Sequence, residues 1–218
     1  MIRDNYNRIL QDIADITKTN GIGQAVTLVA VTKNQPDEVF SELSALGARD
    51  FAENRVSALE QRSHLMNGTR HLIGHLQTNK VKKALRHADL IHSVDSLHLA
   101  EEINRCCLAE NRTADILIQV NIAKEPQKYG VFEEDLDELL EKVSQLPALH
   151  VRGLMAIMPI ETKDEYYQSM YKLFSHCLDG KQYNNITMEI LSMGMSNDYP
   201  TAVRYGATMI RVGRGLYL

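Results

Sequence analysis

The sequence predicts an α/β protein with a single domain, a (β/α)8 or TIM barrel, that occupies residues 1–218. Apolar runs of strand length alternate with amphipathic stretches of helix length, which is the pattern of parallel βαβ units. Eight such runs occur, and no linker rich in proline or glycine divides the 218 residues, a length typical of one-domain barrels. A doubly wound open sheet is the alternative, but its glycine-rich dinucleotide motif is absent after the first strand.

A helix opens the chain, and Gly21 and Gly23 predict where it stops. Its apolar residues at helical spacing are Ile2, Tyr6, Ile9, Leu10, Ile13 and Ile16. Strands are then predicted at 27–32, 48–52, 71–74, 90–93, 116–121, 150–156, 188–192 and 208–212. The helices between them are predicted at 36–46, 54–65, 78–86, 96–109, 133–145, 163–179 and 197–204. Because the last strand lies almost at the C-terminus, we expect the first helix to fill the place of the eighth barrel helix.

Composition argues against several classes of protein. A net charge of −4 gives no reason to expect nucleic acid or an acidic membrane surface as a partner. No apolar run approaches the roughly 20 residues that span a bilayer, and the N-terminus is too polar for a signal peptide. The three cysteines, two of them adjacent at Cys106 and Cys107, have no disulfide or C-x-x-C metal pattern. We therefore expect a cytoplasmic protein.

Polar and glycine residues recur where the predicted strands end. In a barrel of this kind, the carboxyl ends of the strands form one rim, and chemistry gathers there. The residues predicted at this rim are Lys33, Glu53 with Asn54, Gly74 with His75, Ser93 with Asp95, Asn121, Met155 with Ala156, and the segments 192–196 and 213–215. Their coincidence at one face predicts a functional site.

Lys33 is the most informative rim residue, because it ends the apolar strand over 28–32. Val29, Val31 and Lys33 alternate onto one face, so a barrel interior lined by the two valines places the lysine at its mouth. We expect a partly desolvated amine there, which favours the neutral form that adds to an aldehyde. A lysine Schiff base is the usual way in which proteins hold pyridoxal phosphate.

The segments after the seventh and eighth strands predict a phosphate site, which barrels often build from these two loops. Ser196 is predicted as the N-cap of a helix whose first turn contains Pro200, and free amides at a helix start attract anions. Gly213 lets the backbone approach a second set of oxygens. Arg211 shares a strand face with Gly213, so its guanidinium could donate to the ring nitrogen of the cofactor.

Two further clusters have ordinary explanations. The basic run at Lys80, Lys82, Lys83, Arg86 and His87 could suggest RNA binding, but no aromatic residues interleave it, and we interpret it as the solvated face of a helix. His71 and His75 could suggest a metal site. Their spacing spans a strand end and a turn without accompanying cysteine or histidine ligands, so we interpret them as packing or pocket-lining residues.

An ordered series of motifs resembles the YggS/PROSC family of pyridoxal phosphate homeostasis proteins over most of the chain. The motifs are AVTK at 30–33, EN at 53–54, HLIGHLQTNK at 71–80, SVD at 93–95, QVNI at 119–122, KYG at 128–130, RGLM at 152–155, LSMGMS at 191–196 and IRVG at 210–213. The HLIGHLQTNK and LSMGMS motifs together are highly specific. The resemblance implies a fold-type III barrel similar to the N-terminal domain of alanine racemases, with pyridoxal 5'-phosphate as its cofactor.

The resemblance also implies a role for each matching residue. Lys33 would form the Schiff base, and Asn54 would line the cofactor pocket. The cofactor-binding loop would include Ser192, Met193 and Ser196, with Ser196 at the phosphate. Arg211 would face the pyridine nitrogen, and Gly213 with Arg214 would complete the phosphate cup.

Two positions depart from many relatives of the family. Gln35 stands where they carry a second lysine, which puts in doubt any role of that amine in cofactor exchange. Arg214 stands where they carry serine or threonine. A hydroxyl contact to the phosphate is lost there, although a guanidinium can form a stronger, charge-assisted bond.

The resemblance implies a protein that holds pyridoxal phosphate and regulates its supply, without robust catalysis. Racemisation needs two bases, and the barrel consumes the whole chain, so no second domain is expected to supply the other base. An arginine at the pyridine nitrogen also weakens the ring as an electron sink. The alternative is a small amino-acid racemase with Tyr129 or Tyr205 as its second base. We expect a monomer whose partners are the cofactor and PLP-dependent apo-enzymes.

Overall fold

Eight parallel strands close into a barrel in chain order, with the first strand paired to both the second and the eighth. The computed structural model describes residues 1–218. The strands are β1 (Thr27–Val31), β2 (Asp50–Glu53), β3 (Thr69–Leu72), β4 (Leu90–Val94), β5 (Ala114–Val120), β6 (Leu149–Ala156), β7 (Ile186–Ser192) and β8 (Met209–Val212). This closure confirms the predicted barrel and excludes the open sheet.

Helices alternate with the strands around the outside of the barrel. They are α1 (Ile2–Thr19), α2 (Glu38–Ala45), α3 (Val56–Arg62), α4 (Val81–His87), α5 (Leu97–Ala109), α6 (Leu136–Val143), α7 (Asp164–Asp179), α8 (Tyr199–Arg204) and α9 (Arg214–Tyr217). Short 3-10 turns occupy 63–65, 78–80 and 133–135. The sequence predicted these residues as the end of the third helix and the starts of the fourth and sixth helices. The four-residue helix α9 was not predicted.

Alternate residues of each strand face inward or outward, and the two sets differ in chemistry. Outward side chains form the large apolar core between strands and helices. The inward set is a smaller apolar cluster of Val29, Val31, Ala52, Leu90, Leu117, Met155 and Met209. Both valines of β1 therefore share one face, as the parity of that strand predicts, and this face is the interior one. Buried His71, His92, Ser192 and Arg211 occupy the same inward parity, so one part of the interior is polar.

Helix α1 fills the place of the eighth barrel helix, as expected. It packs against α8, α9 and α2, and it buries Tyr6, Ile9 and Ile13. The Asn5 side chain donates to the carbonyl oxygens of Leu216 and Leu218, at 3.2 and 3.0 Å, which ties the two chain ends together. None of the helices combines the length and the apolar character that crossing a membrane requires.

Candidate functional site

A cavity of about 270 Å³ opens at the carboxyl ends of β1 and β8. Five residues of the predicted site line it: Lys33, Ser196, Arg211, Gly213 and Arg214. The other lining residues are Val31, Ile73, Met195, Asn197 and Asp198. The rim therefore brings an amine, two guanidinium groups and two glycine-containing loops to one place.

Lys33 follows β1 and lies on the strand face of Val29 and Val31, so strand parity places it at the cavity. Its side chain is exposed, which corrects the expectation of a partly desolvated amine. The reason is that the chain leaves the barrel directly after it. Asn34 adopts a φ of 61°, a left-handed conformation that asparagine tolerates and that turns the loop outward.

Arg62, the last residue of α3, holds the loop that carries Lys33. Its guanidinium donates to the carbonyl oxygens of Thr32 at 3.0 Å and Gln35 at 2.8 Å. It also donates to the carboxylates of Glu53 at 2.9 Å and Asp37 at 3.0 Å. A guanidinium offers five donors in a planar fork, so one side chain can fix both sides of this loop. Sequence reasoning missed this residue.

Glu53 ends β2 behind the loop, and its carboxyl is buried. One oxygen accepts hydrogen bonds from the Thr32 hydroxyl and from Arg62, both at 2.9 Å, whereas Oε2 has no partner. Burial raises the pKa of Glu53, and the bonds from Thr32 and Arg62 only partly offset this effect. The sequence predicted Glu53 only as a polar residue of the rim, and not as a buried carboxyl close to the charge of Lys33.

Arg211 is almost fully buried on β8, and its guanidinium reaches the cavity wall. Nη1 donates to the Ser192 hydroxyl at 2.6 Å, and Nη2 donates to the carbonyl oxygen of Ala156 at 2.9 Å. Burial lowers the pKa of Arg211 to about 10, and the charge of Asp198 opposes this shift. The guanidinium remains charged at neutral pH, held by neutral acceptors, with N–H groups left to bind a ligand.

The loops after β7 and β8 meet through Ser196. Its hydroxyl oxygen accepts hydrogen bonds from the amides of Gly213 at 3.2 Å and Gly215 at 3.0 Å. The prediction that Ser196 is an N-cap is wrong, because α8 begins at Tyr199 and Asp198 precedes it. Ser196 instead joins two backbone amides of the loop after β8 to the loop after β7. The amides of Ser196 and Asn197 themselves donate to no protein acceptor.

Gly194 is required by the shape of the loop after β7. Its φ is +95°, and a Cβ at this position would lie 2.5 Å from the Cβ of Ala202. Its carbonyl oxygen accepts from the Arg211 amide at 3.0 Å, so the loop is bonded directly to β8. The glycine thus lets the loop lie close to α8 while it remains attached to the strand that carries Arg211.

The remaining three predicted residues do not line the cavity. Asn54 lies in the turn after β2, and its carbonyl oxygen contacts Gly74 so closely that no Cβ would fit there. The hydroxyl of Ser192 is buried against Arg211. Met193 packs in the core between barrel and helices, and its backbone amide donates to Met209 at 3.1 Å.

The residues that suggested other functions contact protein partners outside the cavity. His75 stacks on Tyr129, with ring centroids 3.6 Å apart, and its Nδ1 lies 3.5 Å from Asp95. Tyr205 donates to Asp164 at 2.9 Å on the outside of the barrel. The basic face of α4 pairs with acidic residues of its neighbours: Lys83 with Glu60, and both Lys82 and Arg86 with Glu110.

A family model and curated relatives both match this chain over nearly its whole length. The family model described as alanine racemase, N-terminal domain, matches residues 5–218. A pyridoxal phosphate homeostasis protein from Aquifex aeolicus is 35% identical over 98% of this chain and 96% of its own length. The protein of the same name from Pseudomonas aeruginosa is 35% identical over 99% of this chain and 94% of its own length.

Solved structures agree with these sequence matches. PipY of Synechococcus elongatus, in a structure without PLP, has a TM-score of 0.87 and 34% identity, with full coverage of both chains. The PLP-bound structure of PipY has a TM-score of 0.81. An alanine racemase from Clostridium difficile has 16% identity and a TM-score of 0.72, covering 98% of this chain and 55% of the racemase, and shares the fold. The chain therefore belongs to the alanine racemase N-terminal domain family and, within it, to the pyridoxal phosphate homeostasis proteins.

Proposed function

We propose that the cavity binds pyridoxal 5'-phosphate and that the protein regulates the intracellular supply of this cofactor. The observation that carries the proposal is that Lys33, Arg211 and the Ser196 loop share one cavity. Bound there, the cofactor would supply an aldehyde that a lysine amine can convert to a Schiff base with loss of water. The names of the curated relatives and the PLP-bound structure of PipY support this assignment.

The residues present fit the parts of the cofactor. Lys33 supplies an amine at one side of the cavity, and the buried Arg211 supplies donors for an aromatic nitrogen. The Ser196 and Asn197 amides, which donate to no protein acceptor, suit phosphate oxygens. Ser196 holds the amides of Gly213 and Gly215 at the same edge. Arg214 is exposed at the mouth, where its guanidinium can form the charge-assisted bond that a serine hydroxyl would not.

We infer that this chain stores or delivers the cofactor rather than catalysing a reaction of its own. Arg211 stays protonated at neutral pH and donates only, so a cofactor ring nitrogen held by it would be unprotonated, which would weaken the ring as an electron sink. Neither Tyr129 nor Tyr205 lines the cavity as a second base for racemisation. The exposed side chain of Lys33 also leaves the amine accessible for loading and release.

The setting in which the protein acts is part of the same proposal. We propose that residues 1–218 form one cofactor-binding domain that acts as a monomer in the cytoplasm and delivers cofactor to PLP-dependent apo-enzymes. The three cysteines are unpaired, which suits a reducing compartment. The negative net charge and the paired basic face of α4 support the view that nucleic acid is not a partner.

The test is an absorbance spectrum of the purified protein with pyridoxal phosphate, before and after borohydride. We expect a visible Schiff-base band in the wild-type protein and reduction of the cofactor onto Lys33. Lys33→Ala should lose both, whereas Lys80→Ala, which removes another exposed lysine, should retain both. A colourless wild-type protein would contradict the proposal. Steady-state racemisation of an amino acid that depends on Lys33 would contradict the non-catalytic part alone.

A further inference from the structure

Five polar side chains form a continuous hydrogen-bonded chain through the barrel interior. Asp50 Oδ1 lies 3.0 Å from His71 Nε2, and His71 Nδ1 lies 2.9 Å from His92 Nε2. His92 Nδ1 lies 3.1 Å from Ser192 Oγ, which accepts from Arg211 at 2.6 Å. We call these five residues the interior relay. It connects the first residue of β2, at the amino end of the barrel, with the cavity wall at the carboxyl end.

The relay is sealed from solvent along most of its length. His71, His92, Ser192 and Arg211 are each at most 4% exposed, whereas the Asp50 side chain is 23% exposed. A buried polar group without a hydrogen-bond partner is costly, so each member depends on the next. The two histidine rings also contact each other edge to face, with centroids 5.1 Å apart, which restricts their rotation.

The chemistry of the two ends fixes the direction of the first and last hydrogen bonds of the interior relay. Arg211 can only donate, so the Ser192 oxygen accepts from it, and the Asp50 carboxylate can only accept, so His71 Nε2 carries a hydrogen. With this as its only ring hydrogen, His71 accepts at Nδ1 from His92 Nε2. His92 in turn accepts at Nδ1 from the Ser192 hydroxyl. With this arrangement of hydrogens, donation runs in one direction, from Arg211 to Asp50.

Burial suits His92 to this direction. It lowers the pKa of His92 well below the ordinary value, which keeps the imidazole uncharged. An uncharged imidazole has one donor and one acceptor, so a His92 that donates from Nε2 to His71 accepts at Nδ1 from the Ser192 hydroxyl. In this arrangement the distant Asp50 carboxylate sets the tautomer of His71, and His71 sets that of His92.

We propose that His92 and His71, together with Asp50, are positioning residues that hold the Ser192 hydroxyl in the orientation that receives Arg211. This inference rests on the proposed function, in which Arg211 would donate to the ring nitrogen of the cofactor. Without the relay, the Ser192 hydroxyl is free to rotate, and the guanidinium loses one of its two fixed acceptors. At metal sites, outer partners that orient a ligand typically change affinity by about 10–100-fold, and we expect an effect at the low end of that range here.

The test uses Asp50→Asn, because Asp50 lies at the far end of the barrel and its replacement leaves the interior volume unchanged. The asparagine amide can donate to His71 Nε2, which removes the requirement that this nitrogen carries a hydrogen. Asp115→Asn is the control: Asp115 also lies near the amino end of its strand, but it pairs with Arg152 and His150 instead of the relay.

The first readout needs no cofactor. Ring 15N NMR of the wild-type apo protein should show His71 and His92 with hydrogen on Nε2, and Asp50→Asn should shift both signals while Asp115→Asn shifts neither. The second readout is the dissociation constant of pyridoxal phosphate, followed by absorbance. We expect about a tenfold rise for Asp50→Asn and less than a twofold change for Asp115→Asn.

His92 variants test the middle of the relay. His92→Phe keeps the ring volume but removes both hydrogen bonds, and it should weaken cofactor binding about tenfold or more. His92→Asn retains an acceptor for the Ser192 hydroxyl near the Nδ1 position and should weaken binding less than His92→Phe. If His92→Phe does not fold, Asp50→Asn decides the question.

The outcomes separate this inference from the proposed function. A hydrogen on Nδ1 of His92 in the apo wild-type protein would overturn the positioning role. Unchanged affinity of Asp50→Asn for pyridoxal phosphate would also overturn it, even if the histidine NMR signals of that variant move. A wild-type protein that binds no pyridoxal phosphate would instead overturn the proposed function, and the apo NMR result would still decide whether the relay has the assigned direction.

Discussion

The Glu53 carboxyl shows what a single residue beside the cavity contributes. It is buried, with one oxygen bonded to Thr32 and Arg62 and the other without a partner. Burial favours the protonated form and raises its pKa above the ordinary value of 4.5. Since the folded state binds the proton more tightly than the unfolded state, this residue makes the protein less stable as the pH rises.

We therefore expect Glu53→Gln to change the pH dependence of stability. The wild-type protein should lose free energy of unfolding relative to Glu53→Gln as the pH rises above about 4.5, until the raised pKa of Glu53 is passed. Urea unfolding of both proteins in buffers from pH 4 to pH 8 measures the difference.

A second glutamate provides a control of opposite sign. Arg152 lowers the pKa of Glu189, so this carboxylate stabilises the folded state above its unfolded pKa and loses that effect as the pH falls. Glu189→Gln should therefore lose stability relative to the wild type as the pH rises. Parallel pH profiles for the wild type and Glu53→Gln would contradict the role assigned to burial.

At the scale of elements, the loop between β1 and α2 depends on α3 for its position. Arg62 at the end of α3 bonds to two carbonyl oxygens of the loop and to the buried Glu53, and it stacks over the Phe40 ring at 4.6 Å. The loop itself contains one local bond, from the Gln35 amide to the Thr32 carbonyl oxygen at 3.1 Å. The placement of Lys33 thus depends on a neighbouring element.

We expect Arg62→Met to retain the contact with Phe40 but to release the loop. Removing one partner of a buried ion pair costs about 3–5 kcal/mol, because the other charge stays buried. Hydrogen exchange at the Gln35 amide should become faster, and the free energy of unfolding should fall by about that amount. Arg62→Lys keeps the charge without the planar fork and should give an intermediate loss. Unchanged exchange at Gln35 in Arg62→Met would show that the loop is held by other contacts.

At the scale of the whole molecule, α1 closes the ring of helices around the barrel. Ile9 is fully buried, whereas the adjacent Leu10 is 40% exposed. Alanine substitutions at these two positions therefore distinguish the loss of buried packing from a change in helix propensity. Ile9→Ala should lower the free energy of unfolding by about 2–5 kcal/mol and Leu10→Ala by less than about 1 kcal/mol. Both should unfold in one transition by urea denaturation followed by circular dichroism. A separate early transition in Ile9→Ala would show that α1 is not part of the cooperative barrel.

Strand parity explains why much of the fold and part of the site could be predicted. The side-chain period of two places Lys33 with Val29 and Val31, and Arg211 with Gly213, before any tertiary contact is known. Boundaries were less predictable: Ser196 has the local features of an N-cap, yet its hydroxyl bonds to Gly213 and Gly215 in the next loop. A local capping signal cannot anticipate a competing partner from another strand.

By itself, the sequence determined the eight-stranded barrel, the family and the set of rim residues that contains the candidate site, because these depend on periodicity and on motifs within short segments. Only the tertiary structure decided that Lys33 is exposed, that Arg62 holds its loop and that Asp50 is connected to Arg211. These outcomes join residues as far apart as His92 and Ser192, which are separated by 100 positions. Such contacts follow from how neighbouring strands are staggered around the closed barrel, and no local pattern encodes that stagger.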